Sequence, residues 1–197
     1  MRVIVLLCPS CGPDLLWQEP TITVTVGDQT RIFTRDQLLA RPDAAAIQVP
    51  RDITYRVPMT YRVVPVASLL EGMTLTPNSV IEAIALDGFI AQLPLDLALN
   101  TDESKAVAWL AIEMADQPRP HVPEKDASAG PFYIVWTGAE VGSIRSEQWP
   151  FQMAKLVSQP SPAPAGLPSP STPGCHRPIP FGQGRRCSWF SASPATS

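Results

Sequence analysis

Two cysteines close to the N-terminus are the first residues in the chain whose spacing could support chemistry. Cys8 and Cys11 form a C-x-x-C motif, which can close a redox disulfide or supply half of a zinc site. A thioredoxin-like protein would continue into a βαβ unit, whereas a β-hairpin pattern follows Pro20 here. A zinc site would need further ligands from the far C-terminus. We therefore expect the pair to belong to a leader-like or irregular segment over residues 1–19.

The C-terminal cysteines, Cys175 and Cys187, do not form a haem site. Covalent attachment of a c-type haem uses C-x-x-C-H. Cys175-His176 supplies only the last two positions, because Thr172 occupies the first. The chain has only two histidines and no Walker loop, G-x-G-x-x-G, G-x-S-x-G or H-E-x-x-H motif. The sequence therefore predicts neither a catalytic triad nor a multi-histidine metal site.

The composition indicates a globular protein without the basic surface typical of nucleic-acid binding and without a membrane-spanning stretch. The 197-residue chain is 45% hydrophobic, which is enough for one domain with a core. Its formal net charge of −3 gives no basic surface for nucleic acid. No stretch reaches the roughly 20 apolar residues that a membrane-spanning helix needs. We expect no nucleic-acid partner and no integral membrane segment.

The first seven residues resemble the end of a secretory signal peptide. Arg2 precedes an apolar run from Val3 to Leu7. That run is shorter than a normal hydrophobic region, and no small-x-small cleavage site follows it. A clipped signal peptide predicts a periplasmic protein, whereas a plain N-terminal strand leaves the protein cytoplasmic.

The clearest secondary-structure pattern is a β-hairpin followed by a short helix. Residues 21–26 alternate with period two and are β-branched, as in a half-buried strand. After a Gly-Asp turn, residues 31–33 return as the partner strand. Thr34 stands three residues before Gln37, which is the spacing of a capping box. The helix that it opens must be short, because Pro42 follows.

Further short strands and brief helices follow along the chain. Pro65 and Gly72 suit the start and the end of a helix, and Asp87-Gly88 joins two strands as a hairpin. The other expected elements are strands at 47–49, 55–64, 80–86, 89–93, 132–136 and 153–157, a segment at 106–114 that is ambiguous between helix and strand, and a loop at 115–129. We therefore predict an α+β fold with a mixed, mostly antiparallel curled sheet and short helices over residues 20–157.

The amino-acid composition of the chain changes at Ser158. The 23 prolines are more than twice the usual share of about 5%, and many of them follow this residue. A segment rich in Pro and Ser offers no periodic apolar face, so residues 158–197 are predicted to be a disordered tail. That tail is either a linker to a further domain or the out-of-frame end of a truncated gene.

The order of several short motifs over residues 20–157 resembles the molybdopterin-binding domain of sulfite-oxidase-type oxidoreductases. The motifs that carry the resemblance are Leu38-Leu39, Val64-Pro65-Val66, Leu69-Leu70, Asp87-Gly88-Phe89, Leu110-Ala111, Pro118–Pro123, Gly130-Pro131 and Trp149. The Gly-Pro-Phe-Tyr-Ile-Val-Trp stretch from Gly130 and the Glu-Gln-Trp-Pro-Phe-Gln stretch from Glu147 are similar to a compact bacterial branch of the family. In that branch the domain precedes a c-type cytochrome. The resemblance implies the family's fold and a c-type cytochrome as a partner.

The resemblance also implies a molybdopterin cofactor, but the sequence departs from the family at the metal ligand. In active members the pterin dithiolene and one protein thiolate hold the metal, which transfers an oxygen atom to or from the substrate. The corresponding stretch here, residues 47–55, contains no cysteine. The departure does not forbid the fold. It removes the expected metal ligand, so we assign no metal ligand and no catalytic residue.

The resemblance implies positive charge for a pterin pyrophosphate, and five residues are candidates to supply it. Arg51, Arg56 and Arg62 come from the region of the missing ligand, and His121 and Arg119 come from the proline-containing loop. The alternative is that the arginines are solvated charges at strand edges and that His121 is a surface loop residue.

Three functions remain open from the sequence. The first is a degenerate molybdopterin-type domain that acts as an accessory redox module beside a cytochrome. The second is a cofactor-free scaffold domain that binds a ligand or a partner in the same cleft, and the third is an active molybdoenzyme that ligates its metal without cysteine. A basic, glycine-lined cleft near Arg51–Arg62 would favour cofactor binding. A cleft filled by Tyr55, Tyr61 or tryptophan side chains would favour the scaffold, although we expect Trp136 and Trp149 to lie in the core.

Overall fold

The computed structural model of the protein describes residues 19–138 and 141–160. Within these ranges the chain forms nine strands, three short helices and two 3-10 turns. The strands are β1 (Thr21–Val26), β2 (Gln29–Thr34), β3 (Ala45–Val49), β4 (Met59–Pro65), β5 (Ser79–Ala85), β6 (Ile90–Pro94), β7 (Val107–Ile112), β8 (Phe132–Thr137) and β9 (Met153–Pro160). The helices are α1 (Arg35–Leu39), α2 (Val66–Leu70) and α3 (Leu95–Ala98), and the 3-10 turns cover Val141–Ser143 and Ser146–Gln148. None of the helices in the described ranges is long and apolar enough to cross a membrane.

The predicted N-terminal hairpin and helix are confirmed. β1 and β2 pair antiparallel with Val24 opposite Arg31, and the alternation of β1 buries Ile22 and Val24. At the start of α1, the Thr34 hydroxyl oxygen accepts a hydrogen bond from the Gln37 backbone N–H at 3.2 Å. The Gln37 side chain accepts one from the Thr34 N–H at 2.9 Å. This reciprocal pair is the capping box, and it fixes the residue at which α1 begins.

The first sheet has five strands in the order β2-β1-β9-β5-β6. β9 lies at its centre, parallel to β1 and antiparallel to β5. The last described strand therefore joins the N-terminal hairpin to the β5–β6 hairpin. The turn of that second hairpin is the predicted Asp-Gly dipeptide, with Gly88 at φ +86°. The Asp87 carboxylate accepts a hydrogen bond from the Phe89 N–H at 3.0 Å, which confirms its role as a turn former.

The second sheet has four antiparallel strands in the order β3-β4-β7-β8. β4 and β7 pair with Arg62 opposite Ile112, and this pairing positions the cavity described below. β8 is buried from Phe132 to Trp136. An uninterrupted apolar run of this length is typical of a strand with no solvated face.

One contiguous hydrophobic core contains buried side chains from both sheets and from α1. Ile22 of β1, Leu38 of α1 and Leu110 of β7 are each fully buried within it. Burial of one such side chain stabilises the fold by about 1.5–3 kcal/mol relative to leaving it in water. Trp136 and Trp149 also belong to this core, as predicted.

The structure confirms an α+β domain with short helices and antiparallel-rich sheets, and it corrects the predicted sheet. The strands form two sheets rather than one curled sheet, because apolar alternation identifies strands but does not specify their partners. The ambiguous segment at 106–114 is strand β7. The helix α3 was not predicted.

Two predicted strand boundaries were also wrong. β4 begins at Met59 rather than at Tyr55, because the backbone around Tyr55 is held in a turn by a side-chain carboxylate. β9 continues past Val157 to Pro160, because its last residues still pair with β5, with Pro160 opposite Ser79.

Several predictions fall on parts of the chain outside the described residues. These parts include Cys8, Cys11, Cys175 and Cys187, nearly all of the leader-like segment, and the tail beyond residue 160. The corresponding expectations stay predictions.

Candidate functional site

A fully buried carboxylate, that of Asp52, lies at the centre of the candidate site. Its exposed fraction is 0%, although aspartate is rarely fully buried unless it is paired. Oδ1 accepts hydrogen bonds from the backbone N–H groups of Thr54 and Tyr55, both at 2.8 Å. Oδ2 accepts one from the Tyr61 hydroxyl at 2.7 Å, and the Tyr133 hydroxyl lies 3.2 Å from Oδ1. Donors thus surround the carboxylate, which is what a buried carboxylate requires.

The local sequence around Asp52 forms a turn that the carboxylate itself stabilises. Side-chain bonds to the N–H groups two and three residues further along make an Asx-type turn. The Asp52 carbonyl oxygen also accepts a hydrogen bond from the Arg56 N–H at 2.8 Å, and Arg56 lies in the left-handed region at φ +62°. The turn places the Tyr55 side chain in the core, where its hydroxyl accepts a hydrogen bond from the Ala129 N–H at 2.9 Å. That bond ties the Asp52 turn to the loop at 115–129.

Two tyrosines of the second sheet close the surroundings of the carboxylate. Tyr61 of β4 and Tyr133 of β8 meet edge to face, with ring centroids 5.9 Å apart and planes at 77°. The Tyr133 hydroxyl also lies 2.9 Å from the Thr54 hydroxyl. Burial, together with the neighbouring Asp52 carboxylate, raises the pKa of both tyrosines above the ordinary value. Both hydroxyls therefore stay protonated at neutral pH and act as hydrogen-bond donors rather than as bases.

Arg119 lies against the ring of Tyr61. Its Cζ atom is 4.8 Å from the ring centroid, within the range of a cation–π contact. Its Nη1 and Nη2 nitrogens are shielded from solvent and have no hydrogen-bond partner among the described residues. Burial lowers the pKa of the Arg119 guanidinium below its ordinary value. This guanidinium therefore lacks the acceptors that a buried cation requires.

The nearby Glu113 carboxylate makes no hydrogen bond to the Nη1 and Nη2 nitrogens of Arg119, and its oxygens accept from other donors. Oε1 accepts a hydrogen bond from the Arg119 backbone N–H at 2.6 Å, and Oε2 accepts one from the Ser128 hydroxyl at 2.8 Å. Gly130 lies so close to this carboxylate that a Cβ atom there would overlap it. A larger residue at position 130 would therefore force the Glu113 side chain to move.

An open cavity of about 600 Å³ adjoins this cluster. The residues that line it come from α1, β3, β4 and β7 and from the chain that follows β7: Leu39, Ala46, Thr60, Tyr61, Arg62, Ile112, Met114, Gln117 and Arg119. Arg62 and Arg119 are the charged members of this lining, and it contains no acidic residue. We call it the Arg62–Arg119 cavity.

The structure brings together only two of the five residues that the resemblance suggested for a pterin pyrophosphate. Arg62 and Arg119 share the cavity because β4 pairs with β7, whose C-terminal end leads into the loop that carries Arg119. Arg51 and His121 are exposed and do not belong to the lining. Arg56 is exposed as well, and its guanidinium lies 3.8 Å from the Glu124 carboxylate.

Asp52, the residue on which the site is centred, was not predicted from the sequence. The only local indication is its position two residues before Thr54, which suits an Asx turn. Nothing in the sequence shows that the turn is buried, because Tyr133 joins it from a strand 81 positions away. Tyr55 and Tyr61 are buried beside Asp52.

The residues of the Asp52 turn do not fit the metal ligand that the resemblance implies. A molybdenum ligand of this family is a soft thiolate, whereas the acidic side chain of the 47–55 stretch is a hard carboxylate that is already hydrogen-bonded. Within residues 19–138 and 141–160, no group of three or more His, Cys, Asp or Glu side chains is placed to hold a metal ion.

Comparisons with known proteins give a distant structural likeness. No family model and no curated protein matches the chain. Among solved structures, the chain is similar to the sulfane dehydrogenase SoxCD from Paracoccus pantotrophus, with a TM-score of 0.47 and 16% sequence identity. The match covers 71% of this chain and 38% of that one, so this chain spans well under half of the matched protein's length.

Proposed function

We propose that the protein is a cofactor-free binding domain built on the fold of the sulfite-oxidase-type oxidoreductases. The observation that supports this proposal is the buried Asp52 carboxylate. It occupies the stretch in which the resemblance places the metal-ligating thiolate, and its hydrogen-bonding capacity is used by the protein itself.

Asp52 could ligate a metal only if its carboxylate were freed from these hydrogen bonds, which is costly. To reach a metal, Asp52 would have to release the Tyr61 hydroxyl and leave a buried donor without an acceptor. Losing a hydrogen bond to a buried charged group costs about 1.5–3 kcal/mol. A single hard oxygen ligand would not repay that cost to a metal that prefers sulfur. The third hypothesis, an active molybdoenzyme that binds its metal without cysteine, is therefore the least favoured.

The packing of the site supports the same proposal. Tyr55, Tyr61 and Tyr133 are all buried, with exposed fractions of 4%, 2% and 0%. Their rings occupy the interior next to Asp52. An open cavity of about 600 Å³, the Arg62–Arg119 cavity, lies beside this cluster. This arrangement favours a domain that binds a ligand in a cavity over one that ligates a metal through Asp52.

The accessory redox module, with a c-type cytochrome as its partner, stays a prediction. The same holds for the expected periplasmic location.

Molybdenum and pterin content would test the proposal. The full chain is purified from a host that makes molybdopterin, and both contents are measured by elemental analysis and by pterin fluorescence. A thiolate-containing member of the family, prepared in parallel, shows that the host supplies the cofactor. We expect both contents to equal those of an unrelated protein from the same host. Near-stoichiometric pterin, with or without metal, would overturn the proposal.

A further inference from the structure

We infer that the Arg62–Arg119 cavity binds a small organic anion, with an oxyanion head held by the two guanidinium groups and an apolar body held by the rest of the lining. This inference rests on the proposed function, because it names the ligand class of a domain that holds no metal cofactor.

The unsatisfied guanidinium of Arg119 is the first observation that carries the inference. Nη1 and Nη2 are withdrawn from water without an acceptor, and a buried polar group without a partner is costly. The Tyr61 ring contacts the guanidinium, but a ring face does not accept the in-plane N–H hydrogens as an oxygen does. The Glu113 oxygens are bonded to the Arg119 backbone and to Ser128. The described protein atoms therefore supply no acceptor for these nitrogens, and the Arg119 side chain must turn toward the cavity for them to meet a ligand oxygen, because both are shielded from solvent in this conformation.

The charge of the lining is the second observation. Arg62 and Arg119 are its charged residues, and Glu113, whose carboxylate acts on the Arg119 guanidinium, lies outside the lining. Guanidinium groups bind carboxylate and phosphate oxygens with paired, charge-assisted hydrogen bonds. Thr60 and Gln117 add neutral polar groups to the same lining. This donor set favours an oxyanion over a cation or a neutral sugar.

The apolar part of the lining defines the rest of the ligand. Leu39, Ala46, Ile112 and Met114 line the same space, together with the Tyr61 ring. The volume of about 600 Å³ lies within the range of about 300–1,000 Å³ that is typical of small-molecule sites. An inorganic ion alone would leave this apolar surface in water. A ligand that joins an acidic head to one ring or a short chain would cover it.

The experiment is a calorimetric titration of the full chain with a matched set of probes. Benzoate and phenyl phosphate carry the two oxyanion heads on the same apolar body, inorganic phosphate lacks the body, and benzyl alcohol lacks the charge. We expect one or both of the aromatic anions to bind more tightly than inorganic phosphate and benzyl alcohol. The comparison of benzoate with phenyl phosphate then decides which head the cavity prefers.

Two variants link that binding to the cavity. Arg119→Met keeps the length of the side chain and removes the donors, and Arg62→Gln changes an exposed residue whose loss does not threaten the fold. Each variant is expected to raise the Kd for the preferred aromatic anion by about tenfold or more, because each removes charge-assisted hydrogen bonds. Lys155→Met, which removes an exposed positive charge from β9 outside the cavity, is expected to leave the Kd unchanged.

Three results would overturn the inference. They are no binding of either aromatic anion, equal binding of benzyl alcohol, and a Kd that neither arginine variant changes. Each of these leaves the molybdenum and pterin contents as they are, so the proposed function would stand with its ligand elsewhere. Near-stoichiometric pterin in the purified protein would overturn the proposed function instead, whatever Kd values the titration yields.

Discussion

Replacement of Asp52 by alanine tests whether the buried carboxylate organises the site. The change removes the acceptor of two backbone N–H groups and of the Tyr61 hydroxyl, and it takes away one of the two neighbours of the Tyr133 hydroxyl. A hydrogen bond to a charged group contributes about 1.5–3 kcal/mol. The Tyr133 hydroxyl keeps the Thr54 hydroxyl at 2.9 Å, and a water molecule can enter the space left by the carboxylate. Three such bonds are lost and water recovers part of them, so we expect a loss of about 4 kcal/mol in the free energy of unfolding.

Urea unfolding of the full chain measures this loss. With an m-value of about 2 kcal/mol/M, the midpoint should fall by about 2 M. Asp52→Asn keeps one carbonyl oxygen for the two N–H groups, so it should cost only about 1–2 kcal/mol. The asparagine variant also keeps the prediction measurable if the alanine variant does not fold.

A matched control separates this effect from the loss of any aspartate. Asp126 is exposed in the loop at 115–129, and its replacement by alanine should change the free energy of unfolding by no more than about 0.5 kcal/mol. If Asp52→Ala were as mild as Asp126→Ala, the carboxylate would not organise the site and the reasoning would be refuted.

Two further predictions concern residues around the site. Gly130→Ala places a Cβ atom on the Glu113 carboxylate, so we expect thermal unfolding to show a loss of about 1–3 kcal/mol in stability. Gly142→Ala is the control, because nothing lies within 4 Å of the added atom. Equal losses in the two variants would contradict the close approach. Asp43 accepts two hydrogen bonds from the Arg41 guanidinium, both at 2.8 Å, and these lower the pKa of Asp43 from 3.8 to about 2. Because the pKa is lower in the folded protein, the stabilisation is complete above pH 3.8 and is lost as the pH falls through about 2. Asp43→Asn should therefore cost about 1 kcal/mol at pH 7 and nearly nothing below pH 2, and a difference in unfolding free energy that does not change with pH would exclude this ion pair as its cause.

The sequence predicts the local elements of the fold because their causes are local. The capping box at Thr34 and Gln37 and the turn at Asp87-Gly88 each depend on side chains within a few positions, and the structure has both where the sequence placed them. The uninterrupted apolar run of β8 likewise predicts a strand buried on both faces. Neighbouring residues are enough to fix such features.

The site could not be predicted in the same way, because its residues meet only through strand pairing. Arg62 and Arg119 share a cavity only if β4 lies beside β7, and alternation along a strand does not name its neighbour. Asp52 is buried only because Tyr61 and Tyr133 reach it from two strands of the same sheet. The sequence therefore identifies the candidate arginines, but it does not show which of them line the same cavity.

A crystal structure of the full chain, purified from a host that makes molybdopterin, tests the central claim most directly. We expect the Tyr61 hydroxyl to lie within hydrogen-bonding distance of the Asp52 carboxylate, as it does here at 2.7 Å, with no pterin density beside it. Density for a pterin in the space of the tyrosine rings, with Asp52 turned away from Tyr61, would contradict the account.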